Sequence, residues 1–458
     1  MLVVFFYRIG NFFSYLIILY IKNTTFNFFD ERKEKEMKWQ KLDNTAKIFP
    51  VIASENLTNV YRISVILKEE VQPEILEEAL LEILPWFQTF DVRLRRGFFW
   101  YYFEKNKKKP RVMEEVTYPC RYLDPYANNQ YLFRVTYYKK RINLEVFHAI
   151  TDGFGAVNFL KELIYCYFDH LDGKKTTETK GSPSEDCFLN SEDSYLKHYK
   201  KQDVKGYETK RAVQLKGEHL KEGAVGVVHG MFPIGKVKEV SKKYGASITQ
   251  YLTAVLIFSI YEAYYKAKPN GQPIRVNVPV NLRQYFESTT TRNFFGVIGV
   301  GMAFEEREYC FEEILEQVKQ DFKEQLNKES LEKLISYNVS NEKKWVVRLV
   351  PLFIKNIAVK WIYRNSIKAF TTTLSNIGAI QLREPYAERV ENVTLIMGAS
   401  KKQEVKCGAC SYGETMTMTF SSVLKDVSIQ KVFYRNLAKD GIPVSIMTNG
   451  IYYEREEE

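Results

Sequence analysis

The sequence predicts a protein of mixed α/β class, built as two lobes in which sheets are flanked by helices. Three observations carry this. The chain has 458 residues, too many for one ordinary domain, so two lobes of about 200 residues each are expected. Both halves mix amphipathic helices with short alternating segments that pair as hairpins, without strict βα alternation. Between them, residues 171–205 lack periodicity and are rich in turn formers, as in Gly173-Lys174-Lys175-Thr176-Thr177 and Gly181-Ser182-Pro183-Ser184. The expected division is a leader outside any domain at 1–36, an N-terminal lobe at 37–170, a linker at 171–205 and a C-terminal lobe at 206–458.

Each element has its own pattern. Tyr61, Ile63, Val65 and Leu67 alternate, which predicts a half-buried strand over 61–68. Pro73 opens a helix whose Ile75, Leu76, Ala79, Leu80 and Ile83 recur at helical spacing. Residues 92–104 read as two strands turning at Arg95-Arg96-Gly97. Residues 132–138 and 142–147 read as another pair around Lys139-Lys140-Arg141, followed by a helix over 155–168. In the second half, strands are expected at 224–232, 275–280, 371–374, 393–397 and 415–421. Helices are expected at 236–244, from the cap Ser247 to Tyr264, and at 311–326. Residues 345–363 are apolar but carry Arg348, Lys355 and Lys360, which predicts a buried or groove-lining helix rather than a membrane one.

The first 29 residues are apolar, interrupted early by Arg8, Gly10 and Asn11, and shorter in uninterrupted run than a spanning helix needs. No small-residue cleavage site follows. Residues 30–36 are all charged and lead into Met37, so translation is expected to begin at Met37. The rival reading makes residues 1–29 a membrane anchor.

Composition narrows the function classes. The formal charge of +10 is spread along the chain. The longest basic run, Lys107-Lys108-Lys109, is too sparse for a nucleic-acid surface. The bias suits an anionic partner such as coenzyme A or an acidic carrier protein, without demanding one. Six scattered cysteines fit a reducing cytoplasm. Cys407-Gly408-Ala409-Cys410 has no second pair and no histidine close behind it, so it reads as a turn with two idle thiols rather than a metal site.

Alternation places Ile142, Leu144, Val146 and His148 on one face of a strand, so His148 ends a buried row. A short turn carrying Asp152 and Gly153 follows, then a helix. Such a histidine is either a core side chain bonded to its own turn or a base held rigidly at a channel. A metal site made of His148 and Asp152 lacks further ligands nearby in sequence.

The stretch His148-x-x-x-Asp152-Gly153, closing a strand and preceding an apolar helix, resembles the HxxxDG signature of the chloramphenicol acetyltransferase-like superfamily. This group includes bacterial and yeast alcohol acetyltransferases and the condensation domains of peptide synthetases. Val278-Pro279-Val280-Asn281-Leu282-Arg283, Asn293-Phe294-Phe295-Gly296 and Leu374-Ser375-Asn376-Ile377-Gly378 strengthen the resemblance, which runs over roughly residues 38–455. Bacterial alcohol acetyltransferase-like proteins are its nearest form. Phe147 stands where condensation domains usually carry a second histidine, a departure that favours a free-standing transferase.

The resemblance implies two lobes in a V-shaped pseudo-dimer, with His148 in a tunnel as general base and Asp152 paired with Arg283. Gly153 would keep the helix start and the tunnel clear, and Ser375 and Asn376 are candidate oxyanion or substrate donors. It implies no metal and no cofactor. Acyl-coenzyme A is a co-substrate, acetyl the expected group, and a small alcohol or amine the acceptor. A carrier-protein thioester as donor and a non-catalytic scaffold of the same fold are the alternatives.

Overall fold

The computed structural model describes residues 39–174, 182–202, 210–267, 269–343, 345–400 and 403–452. The expected leader at 1–36 lies outside the described residues, as do parts of the expected linker.

Strands β1 (Trp39–Lys41), β3 (Val92–Arg96) and β4 (Tyr101–Lys105) form a small sheet in the order β1-β4-β3. A five-stranded sheet has the order β12-β2-β7-β6-β5. Its members are β2 (Val60–Leu67), β5 (Val112–Glu114), β6 (Phe133–Tyr138), β7 (Arg141–Phe147) and β12 (Val390–Met397). A seven-stranded sheet has the order β10-β9-β11-β13-β14-β8-β15. It comprises β8 (Gly226–Pro233), β9 (Ile274–Asn281), β10 (Phe295–Met302), β11 (Thr372–Ile380), β13 (Val405–Tyr412), β14 (Thr415–Ser422) and β15 (Ser445–Thr448).

The apolar row of β2 and the row Ile142, Leu144, Val146 of β7 pack in one core cluster with Leu76, Ala79, Leu80 and Ile83 of the helix Pro73–Ile83. Phe159, Leu163 and Ile164 of the helix Gly153–Leu171 complete that layer. The seven-stranded sheet has its own core around the helices Ile248–Ile260 and Phe311–Gln325. Ser247 caps the first of these in a capping box, as expected, and the chain continues past Ile260 as a π-turn, Tyr261–Tyr265.

Five elements differ from the sequence expectations. β2 is buried on both faces, because its polar side faces the second sheet instead of water. There Arg62, Ser64, Asn143 and Glu145 are all buried. Strand β12 leaves the C-terminal half and pairs antiparallel with β2, so residues 206–458 do not all fold onto the second sheet. β12 crosses β13 so closely that a Cβ on Gly408 would lie 2.8 Å from Leu395 O. Cys407 and Cys410 lie on β13, not in a turn. Three residues apart on a strand, they point to opposite faces and enter different cores, which forbids a shared metal or disulfide. The expected helix over 345–363 is broken at Pro351 into Trp345–Leu349 and Leu352–Ser366, and the second piece turns an apolar face outward. Finally, the described part of the expected linker is anchored: Tyr195 is buried, and its hydroxyl donates to Phe295 O at 2.6 Å. Among the described residues no helix is long and apolar enough to cross a membrane.

Candidate active site

His148 continues the buried row of β7 into the turn. Its backbone amide donates to Asn59 O at 2.9 Å, so β7 stays tied to the start of β2 until the chain leaves the sheet. The helix begins at Gly153, two residues earlier than its apolar periodicity indicates, because Asp152 caps it. The Asp152 carboxylate accepts from the amides of Phe154 (3.2 Å) and Gly155 (3.4 Å).

The same carboxylate meets Arg283. Arg283 Nη1 donates to Asp152 Oδ2 at 2.8 Å and Nη2 to Oδ1 at 3.1 Å, a bidentate pair between residues 131 positions apart. The other guanidinium donors are taken by carbonyls of one loop: Nε by Thr290 O (2.9 Å) and Nη2 by Arg292 O (2.6 Å). Phe294 N donates to Asp152 Oδ2 at 2.9 Å. Arg283 therefore staples the 290–294 loop to the turn that carries His148. Because the guanidinium and backbone amides occupy the Asp152 oxygens, the metal reading of His148 with Asp152 loses its carboxylate.

That loop delivers Asn293. His148 Nδ1 lies 3.0 Å from Asn293 Oδ1, and Asn293 Nδ2 donates to Asp43 Oδ2 at 3.3 Å. Asp43 accepts from Ala46 N at 2.7 Å, and burial raises its pKa to about 7. With the Asn293 amide oriented by Asp43, its oxygen faces the imidazole, so Nδ1 carries the proton and Nε2 keeps a lone pair. Phe49 stacks on the ring at 4.7 Å and 14°, while Tyr61 meets it edge-on and Phe295 lies tilted against it. Burial lowers the His148 pKa below the ordinary imidazole value, against the opposing pull of Asp152. The neutral ring therefore persists below neutral pH.

Gly153 faces β11: an added Cβ would stand 2.8 Å from Ile377 Cγ2. The tighter restriction at the helix start is at Gly155, where a Cβ would meet Thr151 Oγ1 at 2.1 Å and Thr291 O at 2.3 Å. Ser375 and Asn376 lie on β11 but point apart. Ser375 shares the face of Ile377. Asn376 is on the other side, with Nδ2 donated to Thr249 Oγ1 at 3.1 Å and Oδ1 accepting from Gly378 N at 3.0 Å.

Asp43, Phe49 and the orienting role of Asn293 are beyond the sequence reading. Asp43 and Phe49 fall in a short stretch with no periodicity, and Asn293 carries no signal except its place in Asn293-Phe294-Phe295-Gly296. Elsewhere Glu82, Cys166 and His170 converge within 4.8 Å between two helices. His170 Nε2 lies 2.8 Å from Glu82 Oε2, an ordinary interhelical hydrogen bond.

Residues 231–431 match the family model described as alcohol acetyltransferase. No curated protein matches the chain. Among solved structures, the chain is similar to polyketide synthase associated protein 5 from Mycobacterium tuberculosis, with TM-score 0.58 and 12% identity over 87% of this chain and 97% of that one. Fusarium sporotrichioides TRI101, solved with coenzyme A and T-2, gives TM-score 0.60 and 10% identity over 89% and 99%. The first condensation domain of the calcium-dependent antibiotic synthetase gives TM-score 0.60 and 11% identity over 88% and 96%.

Proposed function

We infer that this chain, which has the two-lobed fold of the chloramphenicol acetyltransferase-like superfamily, is an acyltransferase moving an acyl group from coenzyme A to an alcohol or amine. One observation carries the assignment of the base. The imidazole of His148 is kept neutral by burial, with Nδ1 bonded to Asn293, and so offers Nε2 as a proton acceptor. An alcohol attacks a thioester poorly until its proton is removed as the new bond forms, and a neutral imidazole is suited to take it. The acceptor oxygen or nitrogen joins the carbonyl carbon, His148 holds the proton, and the tetrahedral intermediate expels the thiolate, which leaves as the thiol.

The intermediate's oxyanion needs fixed donors. Of the two candidates, Ser375 is the better placed, because the amide of Asn376 already serves Thr249 and Gly378. Acetyl is the proposed acyl group, with no metal or redox cofactor, and the cytoplasm is the proposed location. The alcohol acetyltransferase match supports a coenzyme A donor. Phe147, standing where condensation domains usually carry a second histidine, supports a free-standing transferase.

The test is thiol release from acetyl-, butyryl- and palmitoyl-coenzyme A with mixed alcohols and amines. His148→Ala is expected to reduce turnover about 100- to 10,000-fold while the melting temperature holds. A folded variant with near-parental turnover would remove His148 from the chemistry. Faster transfer from a carrier-protein thioester than from coenzyme A would reassign the donor.

A further inference from the structure

The helix Leu352–Ser366 has one side on the protein and one side bare. Leu352 and Lys355 are buried, whereas Phe353 (56% exposed), Ile357 (69%) and Trp361 (53%) stand outward at i, i+4 and i+8. The tip of the β3–β4 hairpin is fastened to the start of this helix. Leu352 N donates to Phe98 O at 2.8 Å, Lys355 Nζ donates to Phe99 O at 3.0 Å, and the same ammonium lies 3.4 Å from the centroid of the Trp100 ring. Phe98 is 71% exposed. Two elements distant in sequence thus hold large apolar side chains out to solvent in one place, which marks an interaction surface.

The stretch of chain that carries the helix bears charge of a single sign, although Glu342, just before it, lies near enough to act on Lys355. Residues 343–383 contain eight Lys or Arg and no Asp or Glu. Arg348, Lys360 and Arg364 are exposed, as is Arg96 at the hairpin, and none of the four pairs with a carboxylate among the described residues. On the helix, Lys360 and Arg364 flank the row Phe353, Ile357 and Trp361.

We propose that this face docks on the surface of a bilayer containing anionic lipid. The helix lies in the interfacial plane, its aromatic and aliphatic row enters the headgroup–acyl boundary, and its cations meet lipid phosphates. Apolar side chains more than half exposed on the outer side of a helix suit a fluid layer that moulds to them. The inner side of the helix gives the docking a consequence, which rests on the acyltransferase reading. Val359 and Tyr363 pack in one cluster with Val51, Ile52 and Phe49, and Phe49 stacks on His148. The docked surface therefore lies close above the base, where an apolar acceptor dissolved in the lipid would arrive.

The experiment uses the full chain with phosphatidylcholine vesicles, with and without phosphatidylglycerol, read by co-sedimentation and by amide hydrogen exchange. Anionic vesicles are expected to carry the protein down and to slow exchange in residues 352–366 and 97–100, and neutral vesicles to do so far less. Replacing Phe353, Ile357 and Trp361 together by serine should weaken partitioning by at least about tenfold. Lys360→Glu with Arg364→Glu should weaken it several-fold and reduce its salt dependence. All five positions are exposed, so parental melting temperatures are expected. Unchanged partitioning of the serine variant would overturn the proposal, including the case in which binding runs through residues 1–29. So would protection of 352–366 by an acidic acyl carrier protein but not by vesicles. Binding needs no turnover, so failure here leaves the acyltransferase reading standing, and an inactive but vesicle-binding protein would do the reverse.

Discussion

Among the described residues, two buried clusters of carboxylate and guanidinium are alike in chemistry and different in span. At the His148 turn, Asp152 and Arg283 join segments 131 residues apart, and the guanidinium also gathers the carbonyls of the loop that bears Asn293. In the five-stranded sheet, Arg62 of β2, Arg134 of β6 and Glu145 of β7 meet across adjacent strands, with Glu115 completing the network. Burial alone would raise the Glu145 carboxyl. Arg62, Arg134 and the Cys120 amide hold it below the ordinary range. A buried ion pair is weak evidence of net stability, since desolvation offsets most of the attraction, yet breaking one is costly. What separates the two is what each fixes. The first sets the position of His148, the proposed base; the second fills the polar space between two sheets.

The largest effect is therefore expected at Asp152. Asp152→Asn leaves Arg283 uncompensated and weakens the cap of the helix, at a cost of roughly 3–5 kcal/mol. Turnover per folded molecule should fall as well, because His148 and Asn293 are held together by the same contact. Chemical denaturation and thiol release on one preparation read both quantities. Parental stability, or lost stability with parental turnover, would break the contrast.

Glu145→Gln should destabilise by less than Asp152→Asn. Arg134 loses its carboxylate but its side chain still reaches solvent, and Glu115 still neutralises Arg62 and Arg141, so the loss should stay below the roughly 3–5 kcal/mol of a fully buried orphaned charge. Its folded fraction should turn over at the parental rate. A fall in turnover that exceeds the unfolded fraction would show that the sheet network reaches the site.

These two clusters were not equally legible. Asp152 and Arg283 lie in short patterned stretches, and the spacing from strand to turn to helix gave the location of His148. Arg62 and Glu145 were hidden by the rule that revealed their strands. Alternation separates apolar from polar positions, and it assigns the polar side to water unless something distant covers it. Here the second sheet covers it, a long-range event with no local trace. The same limit explains Asn293 and Asp43, each a single polar residue in a segment without period. At Leu352–Ser366 the limit has another source: apolar content implies a buried or groove-lining helix, whereas the outward row Phe353, Ile357 and Trp361 faces solvent. Pro351, which splits that stretch, is the local signal that marks the break.

A neutral partner at the site sharpens the comparison. Asn293→Ala removes the acceptor for His148 Nδ1, so the ring can rotate and change tautomer. A fall in kcat on the order of tenfold is expected, part of what a positioned general base contributes. The acid limb of the pH–rate profile should also move. In the parent that limb is expected below the ordinary imidazole value, since burial favours the neutral ring. Without Asn293, an interaction that favours the charged ring is lost, so the limb should move lower still. A change confined to KM would assign Asn293 to binding instead.

The smallest effect concerns His229, which faces the sheet network from β8. Its Nδ1 lies 2.8 Å from Thr419 Oγ1. Burial, and then the charges of Arg141 and Arg62, push its pKa down to about 4. In the unfolded chain the ring titrates near 6.5. Between those values the unfolded state binds the extra proton, so the contribution of His229 to stability is complete above about pH 6.5 and is lost as pH falls toward 4. The slope is about 1.4 kcal/mol per pH unit within that window. Asp43 and Glu404, both raised to about 7 by burial, act with the opposite sign, binding protons more readily when folded. They are present in parent and variant alike, and so cancel in a difference between the two. The stability difference between the parent and His229→Gln, from urea unfolding at pH 7.5, 6 and 5, should hold steady above the window and shift against the parent within it. A difference that stays constant across the three values would mean that the network leaves His229 free to protonate. The polar space between the sheets would then be better hydrated than its burial implies.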